Sequence, residues 1–68
     1  MERLKIFYDR TGGTLTVWFS DPEQEHIGEE TGEEVVLMKD KNGKVIGFEK
    51  LFFSIPDNEE LEVDVQAV

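Results

Sequence analysis

Seven carboxylates crowd the stretch from Asp21 to Glu34, namely Asp21, Glu23, Glu25, Glu29, Glu30, Glu33 and Glu34, and the chain's single histidine, His26, lies among them. Clustered carboxylates suit a hard divalent cation such as Ca²⁺, and an imidazole that titrates near neutrality suits general acid–base work. The spacing supports neither. The acidic run fits no EF-hand loop, and Asp40-Lys41-Asn42-Gly43 puts a lysine into its turn and lacks the terminal glutamate ligand. His26 has Glu25 and Glu29 nearby but no nucleophile or metal to work with. Ser20 and Ser54 stand in turn contexts without the glycines of a nucleophile elbow. Gly12-Gly13 lacks the following helix and lysine of a phosphate loop. The acidic run therefore reads as a solvated connection and His26 as an ordinary loop residue. No catalytic, cofactor-binding or metal-ligating residue is assigned, and the expectation is a protein without a cofactor that is not an enzyme.

Glu49 is the carboxylate with most to explain. It lies in an apolar run between Phe48 and Leu51, where an ionised side chain needs a hydrogen bond, an ion pair or a sheet edge. Lys39, Lys50 or a backbone N–H across a subunit boundary is its expected partner. Gly47, two residues earlier, marks a close approach by another backbone or an aromatic ring filling the gap. Trp18 and Tyr8 are read as core or interface aromatics. Trp18, Leu37, Val45, Gly47, Glu49, Leu51 and Phe53 form the candidate interface.

These residues need strands to hold them. Glu34 to Phe53, EVVLMKDKNGKVIGFEKLFF, reads as a hairpin around Asp40-Lys41-Asn42-Gly43-Lys44, because Asn-Gly tolerates the positive φ that a naturally twisted hairpin demands. With a type I turn and Gly43 left-handed, Asp40 falls near Lys44, Met38 opposite Ile46, and Val36 opposite Phe48. One face then carries Val36, Met38, Ile46 and Phe48. The other carries Val35, Leu37, Val45, Gly47, Glu49, Leu51 and Phe53. Both are apolar, so each needs a cover.

Leu4–Asp9 and Thr14–Phe19 alternate as a first antiparallel hairpin around Arg10-Thr11-Gly12-Gly13. Leu4, Ile6 and Tyr8 share one face of their strand; Leu15, Val17 and Phe19 face away from Thr14, Thr16 and Trp18. Ser20 to Glu34 reads as an exposed connection, with a short strand near Glu25–Glu29 or a brief helix over Pro22–Ile27 as alternatives. Ser54-Ile55-Pro56-Asp57-Asn58 ends the second hairpin. The tail, LEVDVQAV, alternates again and predicts a last strand with one acidic face in water. The fold class is mainly β: a small antiparallel sheet or meander of four to five strands with little helix, one domain over residues 1–68.

A chain of 68 residues builds a small core, and its stability is marginal unless something adds to it. The absence of cysteine excludes disulfides and thiolate metal sites, and one histidine leaves little for a transition metal. A second copy of the chain is the remaining source of stability, so a homodimer is expected. The excess of 16 acidic over 7 basic residues, net −9, repels phosphate backbones and anionic lipid, so neither nucleic acid nor membrane is an expected partner. No apolar run reaches the roughly 20 residues of a membrane span. Met1–Lys5 opens no signal-peptide apolar region, and the expected location is the cytoplasm.

In order along the chain stand Tyr8-Asp9, Leu15-Thr16-Val17, Val35-Val36-Leu37 leading to Asn42-Gly43, and Val45-Ile46-Gly47-Phe48-Glu49. This pattern resembles the YuzE-like small bacterial proteins of unknown function, the DUF2283 family, with its "YD" strand, "L-x-V/I" strand and "D-x-x-G-x-V/I-V/I-G-x-E" hairpin. The resemblance covers residues 4–53 through order and spacing rather than through any single specific motif. The chain departs from the usual form at Gly13, where an acidic residue is common, and in its acidic tail. The family has no established catalytic residues to carry over, and Gly47 and Glu49 match its pattern without a role attached. That some relatives lie beside toxin-like genes implies an antitoxin-like role. The expected function is a non-enzymatic homodimeric interaction module, an adaptor or inhibitor of a basic partner, whose dimer buries on the order of 1,000–2,000 Å² through an apolar sheet face. The alternative is a small-molecule or divalent-cation binder that uses the acidic loop or Glu49.

Overall fold

The computed structural model describes residues 3–68; Met1 and Glu2, part of the stretch read for a leader, lie outside the described residues. Five antiparallel strands form one open sheet: β1 (Lys5–Asp9), β2 (Thr14–Trp18), β3 (Ile27–Glu30), β4 (Val35–Lys39) and β5 (Val45–Lys50). Their order across the sheet is β1-β2-β5-β4-β3. The chain leaves β2, crosses to the far edge, and returns strand by strand until β5 closes against β2. The described residues contain no α-helix, only a 3₁₀ turn over Pro22–Gln24.

Local chemistry sets each turn. Between β1 and β2, Gly13 takes φ 67°, its N–H donates to Asp9 O at 2.8 Å, and Gly12 N–H donates to Asp9 Oδ1 at 2.8 Å. Between β4 and β5, Gly43 takes φ 81° and its N–H reaches Asp40 O at 3.0 Å, while Asp40 N–H reaches Lys44 O at 2.9 Å. Asp40 Oδ1 also accepts from the N–H groups of Asn42 and Lys44. Asp40 and Lys44 thus stand together as the turn chemistry requires. The brief helix over Pro22–Ile27 is realised as the single 3₁₀ turn, with Pro22 in first position and Asp21 Oδ1 capping Glu23 N–H at 2.9 Å.

Three expectations are corrected. The connection Ser20–Glu34 contains a true strand, β3, paired with β4 from Ile27↔Lys39 to Glu30↔Val36. The tail is not a strand; Leu61–Val68 has no regular structure, because alternation supplies a face while a strand also needs a ladder partner. Thirdly, the register of the second hairpin slips. Lys39 pairs with Val45, but Met38 pairs with Gly47, Leu37 with Phe48 and Val36 with Glu49. One extra residue, Ile46, is taken up by a bulge, and a slip of one residue exchanges the faces of everything beyond it. Ile46 and Phe48 therefore join Val35 and Leu37, while Gly47 and Glu49 join Val36 and Met38.

The sheet is a single layer. Among the described apolar side chains only Met38 and Ile46 are buried, at 5% and 2% exposure. The segment after β5 lies against the first hairpin: Phe53 N–H donates to Gly13 O at 2.8 Å and the Phe53 ring meets Tyr8 edge-on at 5.7 Å. The radius of gyration, 13.1 Å, exceeds the roughly 11 Å of a compact chain this long. The accessible surface is 5646 Å², against about 4,400 Å² for a typical folded monomer of this mass.

Candidate interaction surface

Face assignments follow from the registers, since residues directly opposite each other project to the same side. One face carries Lys5, Phe7 and Asp9 from β1, Thr14, Thr16 and Trp18 from β2, Gly47 and Glu49 from β5, and Val36 and Met38 from β4. Its centre is Trp18 over Gly47. A Cβ at Gly47 would come within 2.8 Å of Trp18 Cε3 and 2.7 Å of Val17 O, so glycine there is a steric requirement of the aromatic ring and of the β2 backbone together. The aromatic ring expected to fill the gap at Gly47 is Trp18.

Glu49 is half-buried on this face and accepts a hydrogen bond from Thr16 Oγ1 at 3.4 Å. The lysines expected to pair with it do not. Lys39 Nζ bonds Glu29 at 2.9 Å and Lys50 Nζ bonds Glu34 at 3.2 Å; Lys50 faces away from Glu49 by alternation along β5, and the bulge turns the Lys39 side away as well.

The opposite face carries Ile6, Tyr8, Leu15, Val17, Phe48, Val35 and Leu37. Phe19 extends it by packing on Phe48 at 5.9 Å. Of the seven candidate interface residues, Trp18, Gly47 and Glu49 come together on the first face, whereas Leu37 and Phe53 lie on the second. Val45 sits at the bulge beside the turn. Leu51 follows β5, its N–H on Glu34 O at 2.7 Å, and with Phe52 it lines a shallow groove of about 190 Å³ reaching Glu30 and Val36.

The acidic run occupies the 3₁₀ turn, β3 and the loop after it. His26 is exposed, its backbone N–H bound to Lys39 O at 2.8 Å, and it lines neither this groove nor the open hollow beside Glu59, Glu60 and Glu62. Among the described residues no three His, Asp or Glu side chains converge as a metal-ligand set, and no helix is long and apolar enough to cross a membrane.

Sequence reading missed the anchor of the tail. Tyr8 Oη accepts from Ile55 N–H at 3.0 Å. Arg10 donates to Pro56 O and Glu59 O, and its guanidinium sits 5.5 Å from the Tyr8 ring centre. The only sequence signal was a tyrosine and an arginine flanking the strand end. Phe7, 57% exposed on an edge strand, was missed as well.

The chain is a small all-β domain: a single-layer antiparallel sheet with one apolar face, a mixed face on which a tryptophan is seated on a glycine, and an acidic far edge. Residues 5–54 match the family described as a protein of unknown function, DUF2283, and the chain belongs to that family. No curated protein and no solved structure matches it.

Proposed function

We propose that this protein is a non-enzymatic interaction module that works as a homodimer in the cytoplasm and receives a basic protein partner on its acidic surface, in the manner of an adaptor or antitoxin. The observation that carries the reading is the surplus surface: 5646 Å² where about 4,400 Å² is usual. The difference, about 1,200 Å², exceeds the roughly 800 Å² that one partner contributes to a standard interface. A layer that, among the described residues, fully buries just the side chains of Met38 and Ile46 gains little from water, and with no cysteine a second copy is the simplest source of further burial. For the basic partner, the support is charge: net −9, with Glu23, Glu25, Glu30 and Glu33 exposed in and around the edge strand β3, favours fast encounter with a positive surface.

Sedimentation equilibrium over a wide concentration range tests the first half, and a monomer throughout would end it. Low-salt affinity capture, eluted by rising sodium chloride, tests the second. A basic protein held at low salt and released as salt rises supports it, and recovery of no basic protein counts against it.

A further inference from the structure

We infer that two copies join edge to edge along β1 around a two-fold axis at Phe7, so that Lys5 of each copy faces Asp9 of the other and the two sheets become one of ten strands. The inference deepens the proposed homodimer by naming its contact, and it rests on that reading.

The first ground is which backbone groups are free. Phe19 N–H bonds Ile46 O, and by alternation Val17 and Leu15 also turn their polar groups toward β5. Thr14, Thr16 and Trp18 then turn theirs toward β1, where they meet Asp9, Phe7 and Lys5. Ile6 and Tyr8 are left with N–H and C=O groups directed away from the sheet. Among the described residues no strand lies beyond β1. The segment after β5 meets β1 through the Tyr8 ring and hydroxyl and holds Arg10 just beyond the strand, and among the described residues it makes no backbone hydrogen bond to Ile6 or Tyr8.

The second ground is register. An antiparallel partner must set outward-facing residues against outward-facing residues, so Ile6 and Tyr8 can pair only with each other or with themselves. Pairing Ile6 with Ile6 puts Lys5 against Phe7. Pairing Tyr8 with Tyr8 puts Asp9 against Phe7. Pairing Ile6 with Tyr8 puts Lys5 against Asp9 twice and Phe7 against Phe7, which matches charge with opposite charge and ring with ring on one face. Lys-Ile-Phe-Tyr-Asp is thus self-complementary when reversed. Asp9 can serve both roles, because Oδ1 holds Gly12 N–H and Oδ2 has no hydrogen-bond partner among the described residues.

The third ground is the contrast with the other edge. β3 carries Gly28, Glu29 and Glu30, and pairing it with itself brings glutamates together, a common guard against edge association. β1 has neither a proline nor a bulge, and its one lysine becomes half of an ion pair in the register above. An isologous contact also closes at two copies, whereas β1 on β3 would propagate head to tail.

The chain has no cysteine, which makes the test clean. In this register the two Phe7 residues form a non-hydrogen-bonded pair about 4.5 Å apart at Cα, within disulfide range. Phe7→Cys, confirmed folded by circular dichroism, should oxidise to a covalent dimer, while Glu30→Cys on β3 should remain a monomer on a non-reducing gel. Lys5→Glu and Asp9→Lys should each weaken the dimer by about tenfold or more, and mixing the two variants should restore it, since every facing pair is then opposite in charge. If the wild type sediments as a dimer but F7C does not cross-link, the β1 contact is wrong and the dimer stands on another surface. A mixed F7C–E30C product in place of the F7C dimer overturns it in favour of head-to-tail stacking. A wild type that sediments as a monomer overturns both readings.

Discussion

Replacing Gly47 by alanine tests the centre of the Trp18 face. A Cβ there meets Val17 O at 2.7 Å, Trp18 Cε3 at 2.8 Å and Trp18 Cδ2 at 3.2 Å. The indole could slide by a few tenths of an ångström, but Val17 O belongs to β2, which is paired with β1 and β5 on its two sides. The strands must separate locally, and overpacking of this kind costs about 2 kcal/mol. For a chain of this size that lowers Tm by about 8–16 °C, a large share of a total stability of roughly 3–10 kcal/mol. Thermal unfolding followed by circular dichroism, at fixed protein concentration, measures the shift. The emission of Trp18, the only tryptophan, reports whether the ring has moved. Trp18→Leu in the same background removes two of the three close contacts, so the double variant should lose less than the sum of the single losses. A Gly47→Ala protein that melts within about 2 °C of the wild type would refute the close approach of β2 to β5 argued here.

Gly43→Ala should cost about 1 kcal/mol through backbone strain alone, since φ is 81° and a Cβ there meets nothing within 4 Å. Asp40→Ala should cost about 1–2 kcal/mol by freeing the Asn42 and Lys44 amides; urea unfolding measures both. Tyr8→Phe keeps the ring against Phe53 but removes the acceptor for Ile55 N–H. Its expected cost is about 1 kcal/mol, with faster hydrogen exchange at Ile55 as the specific readout and unchanged exchange as the refuting one. Millimolar Ca²⁺ or Mg²⁺ should leave Tm unchanged if the acidic run is solvated surface. A rise that Glu49→Gln abolishes would instead establish a cation-binding protein.

The hairpins were legible because their causes are local. Asn42-Gly43 and Gly12-Gly13 set turns within a few residues, and Leu15, Val17 and Phe19 declare a face by simple alternation. The bulge at Ile46 was not legible, since nothing in Val45-Ile46-Gly47 announces it. Its two structural partners are Lys39, 6 residues away in sequence from Val45, and Phe19, whose N–H takes Ile46 O. That single residue decided which side Glu49 faces, so the Lys39 pairing and half of the candidate interface went astray together. β3, offered by the sequence only as an alternative near Glu25–Glu29 and found at Ile27–Glu30, was faint for a related reason. Gly28, Glu29 and Glu30 have little strand propensity, but β4 offers an edge, and Thr31 N–H and Oγ1 on Val35 O fix the turn that delivers them to it. The tail shows the converse: Leu61–Val68 has the period of a strand and no ladder to join.

In a sheet of one layer a second copy would add to a small core, and the coupling of folding to association gives a measurement independent of any substitution. If the native state is a dimer and the unfolded state a single chain, raising the protein concentration tenfold stabilises the dimer by about 1.4 kcal/mol. With about 2.1 cal/mol/K of unfolding entropy per residue over both chains, Tm should rise by about 5 °C per tenfold increase. The effect needs no knowledge of which surface joins the copies, since mass action does not depend on where the contact lies. Phe7→Cys, once oxidised, should abolish the dependence, because a covalent dimer unfolds as one molecule. A Tm that stays constant over about a hundredfold range for the wild type would mean that Met38, Ile46 and the half-buried faces suffice without a partner. The surplus surface would then belong to the tail and to exposed side chains such as Phe52, 80% in water, and a second copy would have nothing to complete.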